Sequence, residues 1–289
     1  MFTGQITRPT FLSAPHFVSA LVLISVASLQ ASAATIPHGT VELVAEDQSI
    51  TPGRTLYVGL HFHFEKGWHT YWANPGDSGE PLRAAWHLPA GMAAGEMLWP
   101  APKRFGSPTI ADFGYDGETT LLVPIHASAS VKPEEAAQIG ADLGVLICRE
   151  ICVPGKAHVA LSLPIKPEAP QPDARTRDLF AAARRSLPRN APSEWKMAVL
   201  DEPDSFILVA SLGRAVNHAA FFPLVESQID NAAPQNIQQA ANGFRLTLRK
   251  SDQLLKPIKR LKGVLELSAN ESYVIDAPVG NTRPAKEVR

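Results

Sequence analysis

The sequence predicts an all-β protein made of two antiparallel β-sandwich domains. Short runs in which apolar and polar residues alternate occur along most of the chain, whereas runs with helical periodicity are scarce. Proline is frequent, with 25 among 289 residues. Many short strands separated by turn signals are typical of sandwiches rather than of helical or α/β proteins.

Residues 1–33 have the features of a secretory signal peptide. Arg8 supplies a positive charge, an apolar run follows at residues 17–29, and residues 31–33 form the small-x-small cleavage pattern Ala-Ser-Ala. The run is shorter than the ~20 residues that cross a bilayer, so we expect cleavage rather than anchoring. No later segment approaches a membrane span, and we therefore expect an exported, soluble product.

Residues 34–165 are predicted to form the first sandwich domain. Five alternating runs indicate its strands, at residues 40–45, 56–65, 119–125, 139–147 and 158–164. This region holds both cysteines and four of the five tryptophans.

Residues 166–189 are predicted to be a proline-rich linker with a short helix. Three prolines make residues 166–172 stiff, and Asp173 can cap a helix that ends near Leu187. A second sandwich is expected at residues 190–280, followed by a polar tail at 281–289.

The strand pattern returns in this second domain. The predicted strands are residues 195–200, 205–212, 244–249 and 263–268. The pair Asn242-Gly243 is a hairpin signal. We find no catalytic set in this domain and interpret it as a docking or spacing element.

Composition excludes several functions. The formal net charge of −1 gives no support for binding nucleic acid or an anionic membrane surface. No motif indicates a bound cofactor, and the oligomeric state cannot be inferred. Only two cysteines are present, too few for a disulfide-stapled scaffold, and a chain of this length can bury a core without staples.

The cysteine pair, Cys148 and Cys152, is the strongest chemical signal. Four residues of continuous strand span ~13 Å, whereas a disulfide needs Cα atoms ~5.5 Å apart. The chain must therefore reverse between them, which a hairpin with residues 149–151 at its tip would achieve. We expect both sulfurs to be exposed at the tip, with Pro154 and Gly155 disturbing the returning strand.

Three interpretations of this pair stay open: thiol–disulfide exchange, an inert disulfide and metal ligation. A short loop gives a disulfide little entropic benefit, roughly 2 kcal/mol, which is a weak reason for a staple. Sulfurs at a tip are accessible to another protein's thiolate, which favours exchange. Which cysteine attacks cannot be decided from the sequence.

Several motifs resemble a known family. Residues 67–81, 99–105 and 113–118, together with the Cys148/Cys152 segment and its following Val-Pro-Gly, resemble the periplasmic N-terminal domain of DsbD/ScsB-type thiol:disulfide interchange proteins. The resemblance covers about residues 36–165. The second half resembles more loosely the β-domain that follows in the ScsB-like branch.

This resemblance implies an immunoglobulin-like fold and a periplasmic redox role for Cys148 and Cys152. In the family, which includes proteins of cytochrome c biogenesis and copper tolerance, a membrane-embedded domain reduces this pair. The pair then reduces thioredoxin-fold partners. The resemblance includes neither the family's transmembrane helices nor its C-terminal thioredoxin-like domain. We therefore expect either that a separate membrane protein supplies electrons or that the module has acquired another use.

Other signals suggest alternatives. His61 and His63 share one face of a predicted strand and His69 follows, so a copper-binding or partner-docking module is the competing function. Residues 76–81, Gly-Asp-Ser-Gly-Glu-Pro, are similar to a protease nucleophile loop, but too few residues precede Ser78, and a turn explains them better. One or two of the first domain's aromatic residues could cover the cysteines.

Overall fold

The structure is a computed structural model that describes Met1, Gly4 and residues 33–133 and 136–280. Within these residues strands dominate and a single α-helix occurs, so the predicted all-β class is confirmed. No helix in this part of the chain is long and apolar enough to cross a membrane. Most of the predicted signal peptide, and the whole predicted tail at 281–289, lie outside the described residues.

The first eleven strands form two sheets. They are β1 (Ala34–Ile36), β2 (Gly39–Ala45), β3 (Thr55–Phe64), β4 (His69–Gly76), β5 (Arg83–His87), β6 (Met92–Ala94), β7 (Lys103–Ser107), β8 (Ile110–Asp116), β9 (Glu118–Ala127), β10 (Ala136–Cys148) and β11 (Cys152–Pro164). One sheet has the order β1-β2-β3-β9-β6. The other has the order β11-β10-β4-β8-β7, and β5 pairs with β10. All five strands predicted here are present, whereas β1 and β4–β8 were not predicted.

The core of this region contains apolar side chains from both sheets. Alternate residues of β3, from Leu56 to Phe64, are buried, as are alternate residues of β10, from Ala137 to Val145. These residues belong to one apolar cluster. The period-two pattern therefore places one face of each strand in the core, as expected for packed sheets.

Strands β10 and β11 form a long hairpin that carries the cysteines. They pair without a register shift from Ala136 opposite Pro164 to Cys148 opposite Cys152. The expectation that Pro154 and Gly155 disturb β11 is wrong. Strand β11 lies at the edge of its sheet, where proline is tolerated. Gly155 gives space to Pro37, because a Cβ added at Gly155 would lie 2.7 Å from Pro37 Cδ.

The predicted helix is present as α1 (Arg177–Ser186), but its cap differs from the prediction. The N-cap residue is Thr176, whose side chain makes no capping hydrogen bond. Asp173 lies three residues earlier and accepts hydrogen bonds from the backbone N–H and the guanidinium of Arg175 instead. The carboxylate is therefore used in a turn that precedes the helix.

Helix α1 packs on the first sheet. Its residues Phe180 and Ala183 are buried against side chains of β2 and β9. Ile165 also forms a β-bridge with Ile50 just before the proline-rich stretch. Pro172 forms a further bridge, with Asp47, so the segment between the two strand-rich regions is attached to the first of them by its extended part and by its helix.

The remaining strands form one eight-stranded sheet. They are β12 (Arg189–Asn190), β13 (Lys196–Asp201), β14 (Ser205–Ser211), β15 (Ala220–Pro223), β16 (Asn236–Ala240), β17 (Gly243–Arg249), β18 (Arg260–Ser268) and β19 (Glu271–Gly280). The order is β15-β18-β19-β13-β14-β17-β16, with β12 on β19. The four predicted strands and the hairpin at Asn242-Gly243 are confirmed.

This third sheet packs directly against the second. Phe222 and Val264 belong to the same apolar cluster as the first two sheets, and the Phe222 ring lies edge-on to Phe113 at 5.3 Å between centroids. The side-chain amide of Asn74 donates to the carbonyl of Pro223 at 2.7 Å. The division into two domains remains a prediction, and the described residues on either side of the predicted boundary share part of their core.

Candidate thiol–disulfide site

The two cysteines lie at the tip of the β10–β11 hairpin. Cys148 ends β10 and Cys152 begins β11, and the two residues are direct cross-strand partners with Cα atoms 4.1 Å apart. They form a disulfide. The turn is residues 149–151, with the N–H of Arg149 donating to the carbonyl of Ile151 at 3.1 Å. The hairpin predicted from the spacing is therefore confirmed.

The two sulfurs differ in environment, which the sequence did not predict. Cys148 is 3% exposed, whereas Cys152 is exposed. The expectation that both would be exposed is therefore wrong for Cys148. The cause is that β10 is an interior strand, with His69 of β4 opposite Cys148 on the other side, whereas β11 is an edge strand. The large apolar cluster of the described residues includes Ile147 but not Cys148, so Cys148 lies at the margin of the core.

Tyr71 covers the buried sulfur. Its hydroxyl donates to Cys148 Sγ at 2.8 Å and lies 3.5 Å from Cys152 Sγ. Burial raises the pKa of the Tyr71 phenol, and the negative charge of Asp112 raises it further. The phenol therefore keeps its proton at neutral pH. The expectation that an aromatic residue of the first domain covers the cysteines is met by Tyr71, whose hydroxyl contacts both sulfurs.

A loop after β4 packs over Tyr71. Gly79 has a φ of +86°, and a Cβ at this position would lie 2.2 Å from Tyr71 Cζ. The ring and the loop backbone can approach so closely only because residue 79 is glycine. The protease-like motif 76–81 is therefore a structural loop, as predicted.

Polar contacts fix this loop. The backbone N–H and the hydroxyl of Ser78 both donate to Asp112 at 2.9 Å, so the hydroxyl faces a carboxylate and not a histidine. The carboxylate of Asp77 accepts from the N–H of Ala111 at 2.8 Å. It also accepts from the amide of Asn231, in the third sheet's region, at 2.8 Å. The loop above Tyr71 is thus held from two sides, and no sequence pattern indicated the contact with Asn231.

His69 lies beside the disulfide on β4. Its ring stacks on Phe105 at 4.4 Å and meets Tyr71 edge-on at 5.6 Å. Burial lowers the pKa of His69, although Asp112 and Asp116 act in the opposite direction. Its buried Nε2 has no hydrogen-bond partner among the described residues. The site therefore contains a neutral imidazole next to Cys148.

The outer surface of the hairpin tip is partly apolar. Ile151 is 67% exposed and precedes the exposed Cys152 directly. The guanidinium of Arg149 lies 5.0 Å over the ring of Trp68, which in turn stacks on His38 at 3.5 Å. A partner that reaches Cys152 would therefore meet an apolar side chain and a cation held by an aromatic ring.

The histidines suspected of binding copper are not brought together. His61 and His63 lie on β3 of the first sheet, where His61 bonds to Thr120 at 3.0 Å and His63 faces Glu118 at 3.5 Å. His69 is buried in the second sheet. Within the described ranges, three potential metal ligands do come together, but His61, His63 and His69 are not among them. These three histidines therefore do not support the copper-binding alternative.

Comparisons with known proteins agree with the site. Residues 40–164 match the family model described as the N-terminal part of thiol:disulfide interchange protein DsbD. The crystal structure of the N-terminal periplasmic domain of ScsB from Proteus mirabilis superposes with a TM-score of 0.65. The identity is 17%, and the match covers 84% of this chain and 94% of that chain. At this identity the likeness concerns the fold.

Two further comparisons add no argument. Domains 5–6 of the S-layer protein SbsC cover 86% of this chain at 10% identity, but the TM-score is only 0.21. A search of curated protein sequences finds no match.

Proposed function

The chain carries a domain of the DsbD N-terminal family over residues 40–164, and from this premise we propose that it is a periplasmic thiol–disulfide exchange module. It relays electrons through Cys148 and Cys152 from a membrane-embedded donor to thioredoxin-fold partners. The observation that carries the proposal is the asymmetric disulfide, in which an exposed sulfur is bonded to a buried one that has a hydroxyl donor. Exchange needs one disulfide sulfur that another thiolate can reach, and a second sulfur that leaves as a stabilised thiolate.

The first half-reaction reduces the disulfide. A thiolate of the donor attacks the sulfur of Cys152, the disulfide breaks, and Cys148 leaves as a thiolate. The hydroxyl of Tyr71 already points at this sulfur and stabilises the charge that develops there. A second donor thiolate then attacks the donor's own sulfur in the mixed disulfide and releases Cys152, so that two electrons have moved to the pair.

The second half-reaction oxidises the pair again. The thiolate of Cys152 attacks the disulfide of a thioredoxin-fold partner, forms a mixed disulfide and releases one partner thiolate. Cys148 then attacks the sulfur of Cys152 and releases the second partner thiolate. The partner ends as a dithiol, and the Cys148–Cys152 bond is restored. In this scheme Cys152 is the attacking cysteine and Cys148 resolves.

The surroundings of the tip support contact with a protein rather than a small molecule. Ile151 offers exposed apolar surface beside Cys152, and Arg149 is held over Trp68. A docked protein could bury the Ile151 side chain while its own thiolate reaches Cys152. The predicted signal peptide and the persistence of disulfides in oxidising compartments support a periplasmic location.

Trapping of mixed disulfides tests the proposal. We expect Cys148→Ala to accumulate covalent complexes with thioredoxin-fold proteins in periplasmic extracts, because Cys152 attacks and nothing resolves the product. The matched variant Cys152→Ala should trap at most a small fraction of that amount, because Cys148 is buried. Equal trapping by both variants would contradict the assigned roles, and trapping by neither would contradict exchange.

Equilibration with glutathione provides an independent test. A labile disulfide exchanges within the range of glutathione buffers, whereas structural disulfides have potentials below about −300 mV and resist reduction. We expect the purified protein to equilibrate and its reduced form to reduce a thioredoxin-fold substrate. A bond that stays oxidised across the whole buffer range would support the inert disulfide instead.

A further inference from the structure

A second group of reactive side chains lies on the outer face of the second sheet. His87 on β5, Asp142 on β10 and His158 on β11 are all exposed and come from three adjacent strands. His158 is the direct cross-strand partner of Asp142. His87 is opposite Gly140, two residues from Asp142 on the same face, and is therefore a diagonal neighbour of the carboxylate.

The three side chains converge on one point. His87 Nε2 lies 2.6 Å from one carboxylate oxygen of Asp142, and His158 Nδ1 lies 2.7 Å from the other. The two imidazole rings are 6.1 Å apart between centroids, and one potential ligand atom from each residue lies within 4.8 Å of the others. Three rigid strands thus hold two nitrogen donors and one oxygen donor together.

The positions between these residues carry small side chains. Ala85 on β5 is the cross-strand partner of Asp142, whose other partner is His158. Gly140 is the cross-strand partner of His87 on one side and of Ala160 on the other. A Cβ added at Gly140 would lie 3.6 Å from His158 Cε1. The small residues leave the space above the sheet open, so that an ion held by the three ligands could keep water ligands.

We propose that His87, Asp142 and His158 form a binding site for a divalent transition-metal ion, with Zn²⁺ as the best chemical fit. Zn²⁺ binds imidazole nitrogen at about 2.0–2.1 Å and carboxylate oxygen at about 2.0–2.2 Å, often with three protein ligands and water. Two imidazoles and one carboxylate are too nitrogen-rich for Mg²⁺ or Ca²⁺, which prefer oxygen ligands.

The observed arrangement needs only a small adjustment to accept the ion. Bonds of this length at tetrahedral angles separate ligand atoms by roughly 3.3 Å. The two histidine nitrogens now lie 2.6 and 2.7 Å from different oxygens of Asp142, so each of these distances must grow by less than about 1 Å. The ligand atoms lie within 4.8 Å of one another, so the remaining separations must shrink by at most about 1.5 Å, which rotation of exposed side chains can supply. The nitrogen that binds the ion must lose its proton, which a neutral imidazole does by moving the proton to its other ring nitrogen.

The site is separate from the disulfide. Asp142 precedes Cys148 by six residues on the same strand, a distance of about 20 Å at ~3.3 Å per residue. Metal binding can therefore be measured with the disulfide intact, when neither sulfur is available as a ligand. The proposal does not depend on the exchange function, and failure of one leaves the other in place.

Titration of the oxidised protein with Zn²⁺ at pH 7.5, by calorimetry, tests the site. We expect one ion per chain, with the affinity reduced at least about tenfold in each of His87→Ala, Asp142→Asn and His158→Ala. His126→Ala is the matched control, because His126 is an exposed strand histidine that bonds to Thr55 on the other sheet. It should bind Zn²⁺ like the unmodified protein.

A second measurement checks that affinity losses are not caused by unfolding. Bound metal stabilises the folded state by an amount that grows with its affinity, so Zn²⁺ should raise the unfolding temperature of the unmodified protein and the control more than that of the three variants. Without Zn²⁺ the variants should unfold at similar temperatures. Absence of binding by the unmodified protein, or equal binding by all variants, would overturn the proposal.

Discussion

The hydroxyl of Tyr71 lies closer to the sulfur of Cys148 than to that of Cys152, at 2.8 Å compared with 3.5 Å. The hydrogen-bond donor therefore sits on the buried sulfur, while the sulfur that another protein can reach is the exposed one. This division matches the separate needs of exchange, which are access at one atom and charge stabilisation at the other.

We predict that Tyr71→Phe slows reduction of the disulfide. The variant keeps the ring but removes the donor to the Cys148 thiolate, and hydrogen bonds to charged groups contribute about 1.5–3 kcal/mol. The rate of reduction by dithiothreitol should therefore fall about tenfold or more. Tyr115→Phe is the control, since Tyr115 is also buried but donates to the carbonyl of Pro100. Equal rates in the two variants would show that the hydroxyl of Tyr71 does not stabilise the leaving sulfur.

We predict that Gly79→Ala disturbs the cover over Tyr71. The new Cβ would clash with the Tyr71 ring, and the alanine would also have to adopt a positive φ. Gly117→Ala also places an alanine at a positive φ, but no atom lies within 4 Å of the new Cβ. This variant therefore measures the cost of the backbone conformation alone. We expect Gly79→Ala to lower the free energy of unfolding, measured by urea denaturation, by about 1–3 kcal/mol more than Gly117→Ala. Similar behaviour of both variants would mean that the loop does not pack tightly on Tyr71.

The hairpin could be predicted from sequence because it is local. The cysteines are four positions apart in sequence, so chain geometry alone decides that the strand must reverse. The partner of Cys148 could not be predicted in this way. Tyr71 is 77 residues distant, and the burial of β4 does not alternate, because six of its eight residues are buried and the other two are half-buried. A central strand covered on both faces has no period-two signal.

The exposure of the sulfurs also depended on non-local structure. The sequence predicts both cysteines at a tip, but the burial of Cys148 follows from the pairing of β4 beside β10. The contact from Asn231 to Asp77 joins residues 154 positions apart and has no sequence signal. Sequence reasoning therefore identified the reacting atoms and missed the residues that surround them.

We predict that Asn231→Ala loosens the loop over the site. The variant removes one of the two donors to the Asp77 carboxylate. Loss of about one hydrogen bond should raise the amide exchange rates of Asp77 and Ser78 about tenfold. Asn236→Ala, at an exposed position of β16, should leave those rates unchanged. Unchanged exchange in Asn231→Ala would show that the third sheet's region does not stabilise the loop.

We predict that the disulfide contributes little to stability. Cys148→Ser combined with Cys152→Ser should lower the free energy of unfolding by about 2 kcal/mol or less, because the closed loop is short. Urea denaturation of the double variant and of the oxidised protein gives this difference directly. A double variant that is unfolded without denaturant would instead indicate a structural disulfide.

We predict that His69 makes the protein less stable in mild acid. Its folded pKa lies below the unfolded value near 6.5, so the unfolded chain binds the proton more readily. The free energy of unfolding should therefore rise with pH below about 6.5 and become independent of this group above it. Urea denaturation at pH 5.5 and 7.5 should show a smaller loss on acidification for His69→Asn than for the unmodified protein. The exposed control His126→Asn should behave like the unmodified protein, and equal losses in all three would show that the folded protein accepts a proton on His69 as readily as the unfolded chain does.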